Sequence, residues 1–186
     1  KFLPFSLFII LLVGHVAFAQ IDGLHDPWKW SHFTVYEGLP SDNIVNIVET
    51  TDSTIWVSTE NGIAWFDGFR WHRMGREQGV PEGNPEKISA GIHGQLLAIW
   101  ERRLYVGDRN GFQKMVFPNG VVNDSIVFAC TDEDNAIFVK QKNDLLLIRN
   151  GEIRKFDLPK EYTFWEISSD RPWYNTKKEF VKIGID

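Results

Sequence analysis

Cysteine is almost absent from the 186-residue chain, which contains a single one, Cys130. One thiol excludes an intrachain disulfide, so the fold must be stabilised by its apolar core and its hydrogen bonds. Cys130 lies in the apolar run 126–131, where a free cysteine behaves as a small buried hydrophobic side chain. The sequence therefore favours a structural role for this thiol over a redox one.

Basic residues are fewer than acidic ones. The chain carries 20 Lys and Arg residues against 25 Asp and Glu residues, a net charge of −5 at pH 7. Proteins that bind nucleic acid normally present a basic face to the phosphates. The charge balance therefore argues against a nucleic-acid partner, whereas a hydrophobic content of 43% is enough for a buried core.

Motifs that mark a catalytic or metal site are missing as well. The histidines show neither H-x-x-x-H nor H-E-x-x-H spacing, there is no G-x-S-x-G stretch, and no protease signature surrounds the cysteine. We therefore predict no catalytic residues, no metal ligands and no cofactor, and the ligand-binding residues are left unidentified. The five histidines are His15, His25, His32, His72 and His93.

Three weaker groupings each have a functional and a structural interpretation, and the structural one is favoured in each case. The acidic residues 132–134 could form a calcium loop, but EF-hand spacing is absent and a turn between strands explains them. Arg102 and Arg103 could hold an anion or mark a solvated hairpin tip. Four tryptophans could stack on sugar rings or fill gaps between sheets. These groupings are Asp132, Glu133 and Asp134; Arg102 and Arg103; and Trp28, Trp30, Trp71 and Trp173.

Residues 1–19 have the layout of a secretory signal peptide. Lys1 is basic, an apolar run covers 5–13, and Ala17-Phe18-Ala19 gives the small residues of a cleavage site. The alternative is an uncleaved membrane anchor, but this run is shorter than the ~20 apolar residues that span a bilayer. We expect cleavage after Ala19 and export to the periplasmic or extracellular side of the membrane.

The stretch 52–71 predicts an antiparallel meander. Its short apolar runs are separated by Asn61-Gly62 and Asp67-Gly68, dipeptides that suit type I′ turns. A helix is excluded because two glycine-containing breakers so close together leave no window for a 3.6-residue apolar stripe. With a further run upstream the unit has four strands, the content of one propeller blade. The four runs are 44–48, 55–57, 63–66 and 69–71.

This unit recurs about every 41 residues, as shown by the matching positions of Trp56, Leu97 and Phe138. A repeat of this length is typical of propeller blades. Trp56 and its counterparts are predicted to fill the gap between neighbouring blades.

We predict an all-β fold, an incomplete β-propeller over residues 28–186 with about three full four-stranded blades and part of a fourth. The blades are assigned to residues 40–75, 84–118, 123–158 and 162–186. In the last, Trp173-Tyr174 and 180–183 are the predicted second and third strands.

Residues 30–36, ahead of the first repeat, are predicted to form an orphan outer strand. In a closed propeller such a strand completes the last blade, because closure removes exposed sheet edges. The partners of this strand are absent from the sequence. We therefore expect the chain to be the N-terminal part of a longer protein and to expose apolar faces on its first and last sheets.

The first repeat, residues 33–71, resembles the two-component regulator propeller repeat. That pattern combines Gly-Leu-Pro-Ser, a Trp-containing strand, Asn-Gly and Phe-Asp-Gly. Later repeats depart from it, because Gly94-Gln95 replaces the acidic turn and Arg102-Arg103 and Asn143-Asp144 replace Asn-Gly. The matching residues are Leu39, Pro40, Ser41, Trp56, Thr59, Gly62, Phe66 and Gly68.

The resemblance implies the periplasmic sensor of a membrane-bound histidine kinase or hybrid two-component regulator. It implies a homodimer in the full-length protein, held to the membrane only by segments after Asp186. Our favoured hypothesis is an extracytoplasmic module, itself not an enzyme, that binds a small molecule or oligosaccharide and passes the signal to downstream domains. The alternatives are a secreted propeller enzyme, a lyase or hydrolase, and a structural interaction scaffold.

Overall fold

Strands and short 3-10 turns make up all the regular structure in the described part of the chain. The computed structural model describes residues 31–118, 121–132, 134–142, 144–157, 173–175 and 180–182, with the backbone alone at 157, 173–175 and 180–182. Residues 33–186 form one structural unit, and the other unit, 1–32, lies almost wholly outside the described residues. The all-β fold class is confirmed, whereas the predicted signal peptide lies outside the described residues.

Three four-stranded antiparallel sheets follow one another along the chain, each a simple meander in sequence order. The first contains β1 (Ile44–Glu49), β2 (Ile55–Thr59), β3 (Gly62–Phe66) and β4 (Trp71–Met74). The second contains β5 (Lys87–Ala90), β6 (Leu96–Trp100), β7 (Arg103–Asp108) and β8 (Gly111–Lys114). The third contains β9 (Ile126–Thr131), β10 (Ile137–Gln141), β11 (Asp144–Arg149) and β12 (Glu152–Asp157). A further antiparallel pair is formed by β13 (Trp173–Asn175) and β14 (Phe180–Lys182), and 3-10 turns lie at Val35–Glu37, Arg76–Gln78 and Ile92–Gly94.

The 41-residue spacing is kept in the structure. The second strands of the three sheets begin at Ile55, Leu96 and Ile137, and the third strands begin at the same interval. The pair β13–β14 lies where the sequence predicts the second and third strands of a fourth repeat. The alternation of apolar residues and turn residues therefore located these strands correctly.

The sheets pack face against face in chain order. Trp56 and Ile63 of the first sheet share one core cluster with Trp100 of the second, and the opposite face of the second sheet packs on the third. The first strand β5 contacts both β1 and β9, and the Ser89 hydroxyl on β5 donates a 2.7 Å hydrogen bond to the Ala129 carbonyl on β9. Sheets that stand side by side with their first strands together have the arrangement of propeller blades.

Large aromatic side chains fill the space between the first two sheets, as predicted for Trp56. Its side chain is fully buried, and its ring meets the ring of Phe112 edge to face at 5.8 Å between centroids. Phe112 meets Trp100 in the same way at 5.5 Å. Edge-to-face pairs of this kind are favourable because the positive ring edge meets the negative ring face.

Two predicted turns differ from expectation. Asn61 does not have a positive φ, so the β2–β3 turn at Glu60-Asn61 is not type I′, and Gly62 begins β3 with φ of 120°. Asp67-Gly68 belongs to a four-residue loop, in which the Asp67 carboxylate accepts hydrogen bonds from the backbone N–H groups of Phe69 and Arg70. Those side-chain bonds compete with a two-residue turn. As a result β4 starts at Trp71, later than the predicted run 69–71.

The predicted orphan strand 30–36 is wrong at its end, where a 3-10 turn begins at Val35. Residues 31–34 ahead of the turn pair with no described strand, and Thr34 has an extended backbone. Thr34 and Glu37 form a capping box around that turn, and Gly38 closes it with φ of 104°. Local capping satisfies backbone groups that a strand would have left for a neighbouring sheet.

One of the two apolar faces expected to be open, that of the first sheet, is open at β1. Ile47, Ile88 and Ala129 hold equivalent positions on the first strands of the three sheets, and their side chains are 63%, 3% and 2% exposed. Val57 and Ala64, on the same face as Ile47, are buried in a cluster with Leu39 and Phe33.

The far face of the third sheet is covered, because Phe138 is 1% exposed within a cluster that includes Phe128, Cys130 and Leu147. The second face expected to be open belongs to the partial fourth blade, whose side chains lie outside the described residues.

Candidate functional site

The turn between the first and second strands is closed in the same way in all three sheets. A backbone hydrogen bond closes each turn, from Thr50 N–H to the Thr54 carbonyl in the first sheet and at the equivalent residues of the others. The fourth residue of each turn has a positive φ, Ser53 at 60°, Gly94 at 77° and Asn135 at 60°, and the second turn has another at His93, 51°. We call these segments the first, second and third inner turns; they cover residues 50–54, 91–95 and 132–136. Their side chains, in contrast, differ.

A carboxylate stabilises the first inner turn. Asp52 accepts hydrogen bonds from the Thr50 hydroxyl at 2.6 Å and from the Thr54 hydroxyl at 2.9 Å. These bonds, with the Thr50 bond the largest cause, hold the pKa of the Asp52 carboxyl below its usual value. The carboxylate therefore acts as a structural acceptor within the turn.

The third inner turn is also closed by a carboxylate. Asp132 accepts hydrogen bonds from the backbone N–H groups of Asp134 and Ala136, and Arg149 of the same sheet donates to it at 3.3 Å. The favoured structural interpretation of this acidic cluster agrees with these contacts, while Glu133 lies outside the described residues. Among the residues that the structure describes, no three His, Cys, Asp or Glu side chains come together in a way that could hold a metal ion.

The second inner turn has no carboxylate of its own. Its Gly94 N–H donates to the Thr51 hydroxyl of the first sheet at 2.8 Å. A Cβ on Gly94 would lie 3.0 Å from the Asp52 carboxyl carbon, so glycine permits this close approach of the two turns. The second turn is therefore supported by its neighbour instead of by a side chain within its own sheet.

Arg109, in the β7–β8 turn, completes this link between the sheets. Its Nη2 lies 3.4 Å from Oδ2 of Asp52, and its guanidinium lies over the Trp65 ring at 5.6 Å from the centroid. In the third sheet Arg149 instead pairs with Asp132 of the same sheet. The position equivalent to Arg149 is Asp108 in the second sheet, and no arginine lines the space beside the second inner turn.

That space is a groove of about 280 Å³, which we call the second-sheet groove. Gly107 forms its floor. No larger residue fits there, because a Cβ would lie 2.5 Å from the Gly111 carbonyl oxygen and from the Phe112 ring. Asp108 Oδ1 accepts a 2.7 Å hydrogen bond from the Asn110 backbone N–H, which fixes one wall. The lining residues are Gln95, Val106, Gly107, Asp108, Asn110, Gly111, Phe112 and Gln113.

A line of polar and aromatic contacts continues from Arg109 across the first sheet. His72 stacks on Trp65 with 4.3 Å between ring centroids, and His72 Nε2 donates to Asp67 Oδ2 at 2.6 Å. The bond from His72, followed by those from the Arg70 and Phe69 backbone N–H groups, holds the pKa of the Asp67 carboxyl well below its usual range. Asp67 is therefore a charged acceptor that orients the imidazole.

The other candidates named from the sequence are not brought together. Arg102 lies in a type I′ turn, with φ of 47° at Glu101 and 58° at Arg102, and Arg103 forms a 2.9 Å ion pair with Glu101. Trp71 packs with Phe33 on the first sheet, as expected for a tryptophan that fills space. The side chains of His15, His25, Trp28, Trp30 and Trp173 lie outside the described residues.

The sequence did not identify the residues of the second-sheet groove. One signal was available, since Gly94-Gln95 stands where the other repeats have an acidic turn. That departure is local, whereas the contact of Arg109 with Asp52 beside the groove joins residues more than fifty positions apart in the chain. A contact of that kind between sheets cannot be read from turn composition.

Comparisons with known proteins identify the fold. No protein-family model matches the chain, and no curated protein matches it. Among solved structures it is similar to the extracellular domain of BT3049 from B. thetaiotaomicron, which is named as a hybrid two-component system. The identity is 15% over 80% of this chain and 23% of that one, with a TM-score of 0.52. The extracellular domain of BT4673 from the same organism, also named as a hybrid two-component system, gives 17% identity over 72% of this chain and 19% of that one, with a TM-score of 0.53.

A virginiamycin B lyase from Staphylococcus aureus is similar to the same degree. It gives 16% identity over 80% of this chain and 57% of that one, with a TM-score of 0.53. The chain thus spans less than a quarter of each extracellular domain and little more than half of the lyase. At these identities the likeness concerns the fold alone, and this fold is an incomplete β-propeller.

Proposed function

We propose that the chain belongs to the extracytoplasmic ligand-sensing propeller of a two-component signalling protein. The observation that carries the proposal is the second-sheet groove, an open polar recess on a propeller whose first repeat, 33–71, matches the two-component regulator pattern. The extracellular domains of BT3049 and BT4673 share this fold. The ligand is a small molecule or a glycan fragment.

Linkage supplies the mechanism of such a sensor. A ligand that binds one arrangement of the sensor, or of its homodimer, more tightly than the other shifts the population toward the signalling state. The first and second inner turns are joined by the hydrogen bond from Gly94 N–H to the Thr51 hydroxyl, which would carry a change at the groove to the first sheet. The phosphoryl chemistry then belongs to domains downstream of Asp186, and the sensor itself is not an enzyme.

The proposal places the propeller on the periplasmic or extracellular side of the membrane, exported by the leader 1–19. Within the described ranges no helix combines the length and the apolar character needed to cross a membrane. Attachment to the membrane is assigned to segments that follow Asp186.

A secreted propeller enzyme is the second candidate, and the His72–Asp67 pair is the observation that favours it. The pair is surface-exposed, and Asp67 orients the imidazole as an acid–base catalyst requires. No described hydroxyl or thiol is hydrogen-bonded to His72, so a nucleophile beside the base is missing from the part of the chain that is described. A structural scaffold is the third candidate.

Calorimetry of the complete extracytoplasmic part against a panel of oligosaccharides and small metabolites tests the sensor function. We expect one class of ligand to bind and to change the phosphorylation or transcriptional output of the full-length protein. Turnover of the ligand, abolished by His72→Ala, would instead support the enzyme. Binding of no ligand and an output that no ligand changes would contradict the sensor.

A further inference from the structure

The second-sheet groove concentrates side-chain amides that have no partner. The amides of Gln95, Asn110 and Gln113 line it, and none of them makes a hydrogen bond to another described residue. Asp108 contributes a carboxylate that forms no ion pair with any described cation, although Arg109 is its neighbour in sequence. Four hydrogen-bonding groups are thus left facing one recess.

Comparison with the third sheet shows why these groups are free. Ala136 and Arg149 hold the positions equivalent to Gln95 and Asp108, and there Arg149 closes the space by pairing with Asp132. In the second sheet the equivalent pair is missing, and the nearest arginine is directed to Asp52 of the first sheet. The groove is therefore a specific departure of one repeat from the arrangement in another.

The floor of the groove is fixed before any ligand arrives. Gly107 is held against Gly111 and Phe112, and a Cβ on Gly111 would lie 2.9 Å from the Gln78 carbonyl oxygen. Such close backbone packing leaves little freedom for the β7–β8 hairpin. A recess that is already ordered loses less conformational entropy when it binds a ligand.

The chemistry of the lining selects among ligand classes. No Lys or Arg side chain lines the groove, so it offers no counter-charge to a phosphate or a carboxylate. It contains one carboxylate, Asp108, whereas calcium sites combine several oxygen ligands. A side-chain amide both donates and accepts hydrogen bonds, and so does a hydroxyl group, so amides are suited to bind hydroxyl groups. Val106, whose side chain lies on the same face of the sheet as Gln113, adds apolar surface for the C–H groups of a ring.

We propose that the second-sheet groove is a subsite for one uncharged, hydroxyl-rich ring of the pyranose type, held by Gln95, Asn110, Gln113 and Asp108. A volume of about 280 Å³ lies at the lower end of the ~300–1,000 Å³ of small-molecule sites, which fits a single ring. The inference rests on the proposed sensor function and specifies where, and by which groups, the ligand is recognised.

Saturation-transfer NMR on the full-length protein tests the subsite. The probes are glucose, galactose, mannose, xylose and N-acetylglucosamine, with phosphate, Ca²⁺ and putrescine as charged counter-probes observed by calorimetry. We expect at least one of the neutral sugars to bind. Gln95→Ala should weaken that binding by roughly tenfold, the effect of losing one bidentate polar contact, and Gln113→Trp should abolish it by filling the recess.

Asn61→Ala is the matched control, because its side-chain amide is exposed at the opposite end of a sheet and makes no hydrogen bond to a described residue. Circular dichroism and urea midpoints verify that each variant folds. Unchanged sugar affinity in both groove variants would overturn the subsite, as would binding of a charged probe alone or of no sugar. The two claims can be separated. A ligand that changes the output of the full-length protein, and that the groove variants bind with normal affinity, would support the sensor function and contradict the subsite.

Discussion

Arg109 of the second sheet binds Asp52 of the first, with 3.4 Å between Nη2 and Oδ2, and its guanidinium also lies over Trp65. The contact joins two neighbouring sheets beside the second-sheet groove. Removing the Arg109 side chain should therefore weaken the packing of these two sheets on each other.

Arg109→Ala is expected to lower the free energy of unfolding by about 0.5–1 kcal/mol. The ion pair and the cation–π contact are both partly exposed, and exposed contacts of these kinds are individually weak. Arg103→Ala is the control, since the Arg103–Glu101 pair lies within one hairpin. Urea unfolding compares the two, and an equal effect of both substitutions would show that the link between sheets adds nothing.

Trp56→Ala is expected to cost about 3–5 kcal/mol, because it leaves a cavity in the core shared by the first and second sheets. Phe69→Ala should change stability by less than about 0.5 kcal/mol, since Phe69 is 89% exposed. Thermal and urea unfolding measure both. Similar small effects for the two residues would contradict the assignment of Trp56 to the space between the sheets.

His72→Phe is expected to raise the pKa of Asp67 toward its usual value while the Phe69 and Arg70 backbone bonds keep it partly lowered. A folded-state pKa below the unfolded value of ~3.9 contributes stability that is present above that pH and is lost as the pH falls through the folded pKa. The variant should therefore begin to unfold in acid at a higher pH. Carboxyl NMR titration checks the pKa, and no change in it would contradict the hydrogen bond.

Cys130 is expected to be unreactive in the native protein. Burial, followed by the nearby Asp132 carboxylate, raises the pKa of the thiol to about 12, so at pH 8 almost none of it is the reactive thiolate. A colorimetric thiol reagent should react only after denaturant is added. Rapid stoichiometric reaction without denaturant would show that the cluster around Phe138 does not shield the Cys130 thiol from the reagent.

The sequence predicted the strands well because strand content is a local property. Alternating apolar residues and a 41-residue spacing identified the second strands at Ile55, Leu96 and Ile137, and Trp56 was recognised as a residue that fills the gap between sheets. These features depend on residues that are close together in the chain.

Turn types and the groove depended on more than local sequence. Type I′ geometry occurs at Glu101-Arg102, where Asn-Gly is replaced, and is absent at Asn61, where the dipeptide is present. Residues 33–38 follow a capping box instead of a strand, and Arg73 of β4 fixes that segment by donating to the Gly38 and Leu39 carbonyls. At residues 33–38 the local capping box and the hydrogen bonds from Arg73 together overrode the strand pattern.

Ile47 provides the most direct test that these sheets belong to a ring of blades. Its side chain is 63% exposed here, whereas the equivalent Ile88 is 3% exposed behind the preceding sheet. We expect Ile47→Cys in the full-length protein to react with maleimide roughly tenfold or more slowly than Phe69→Cys, because a further blade covers the face. Equal labelling rates at the two positions, read by peptide mass spectrometry, would contradict the propeller account.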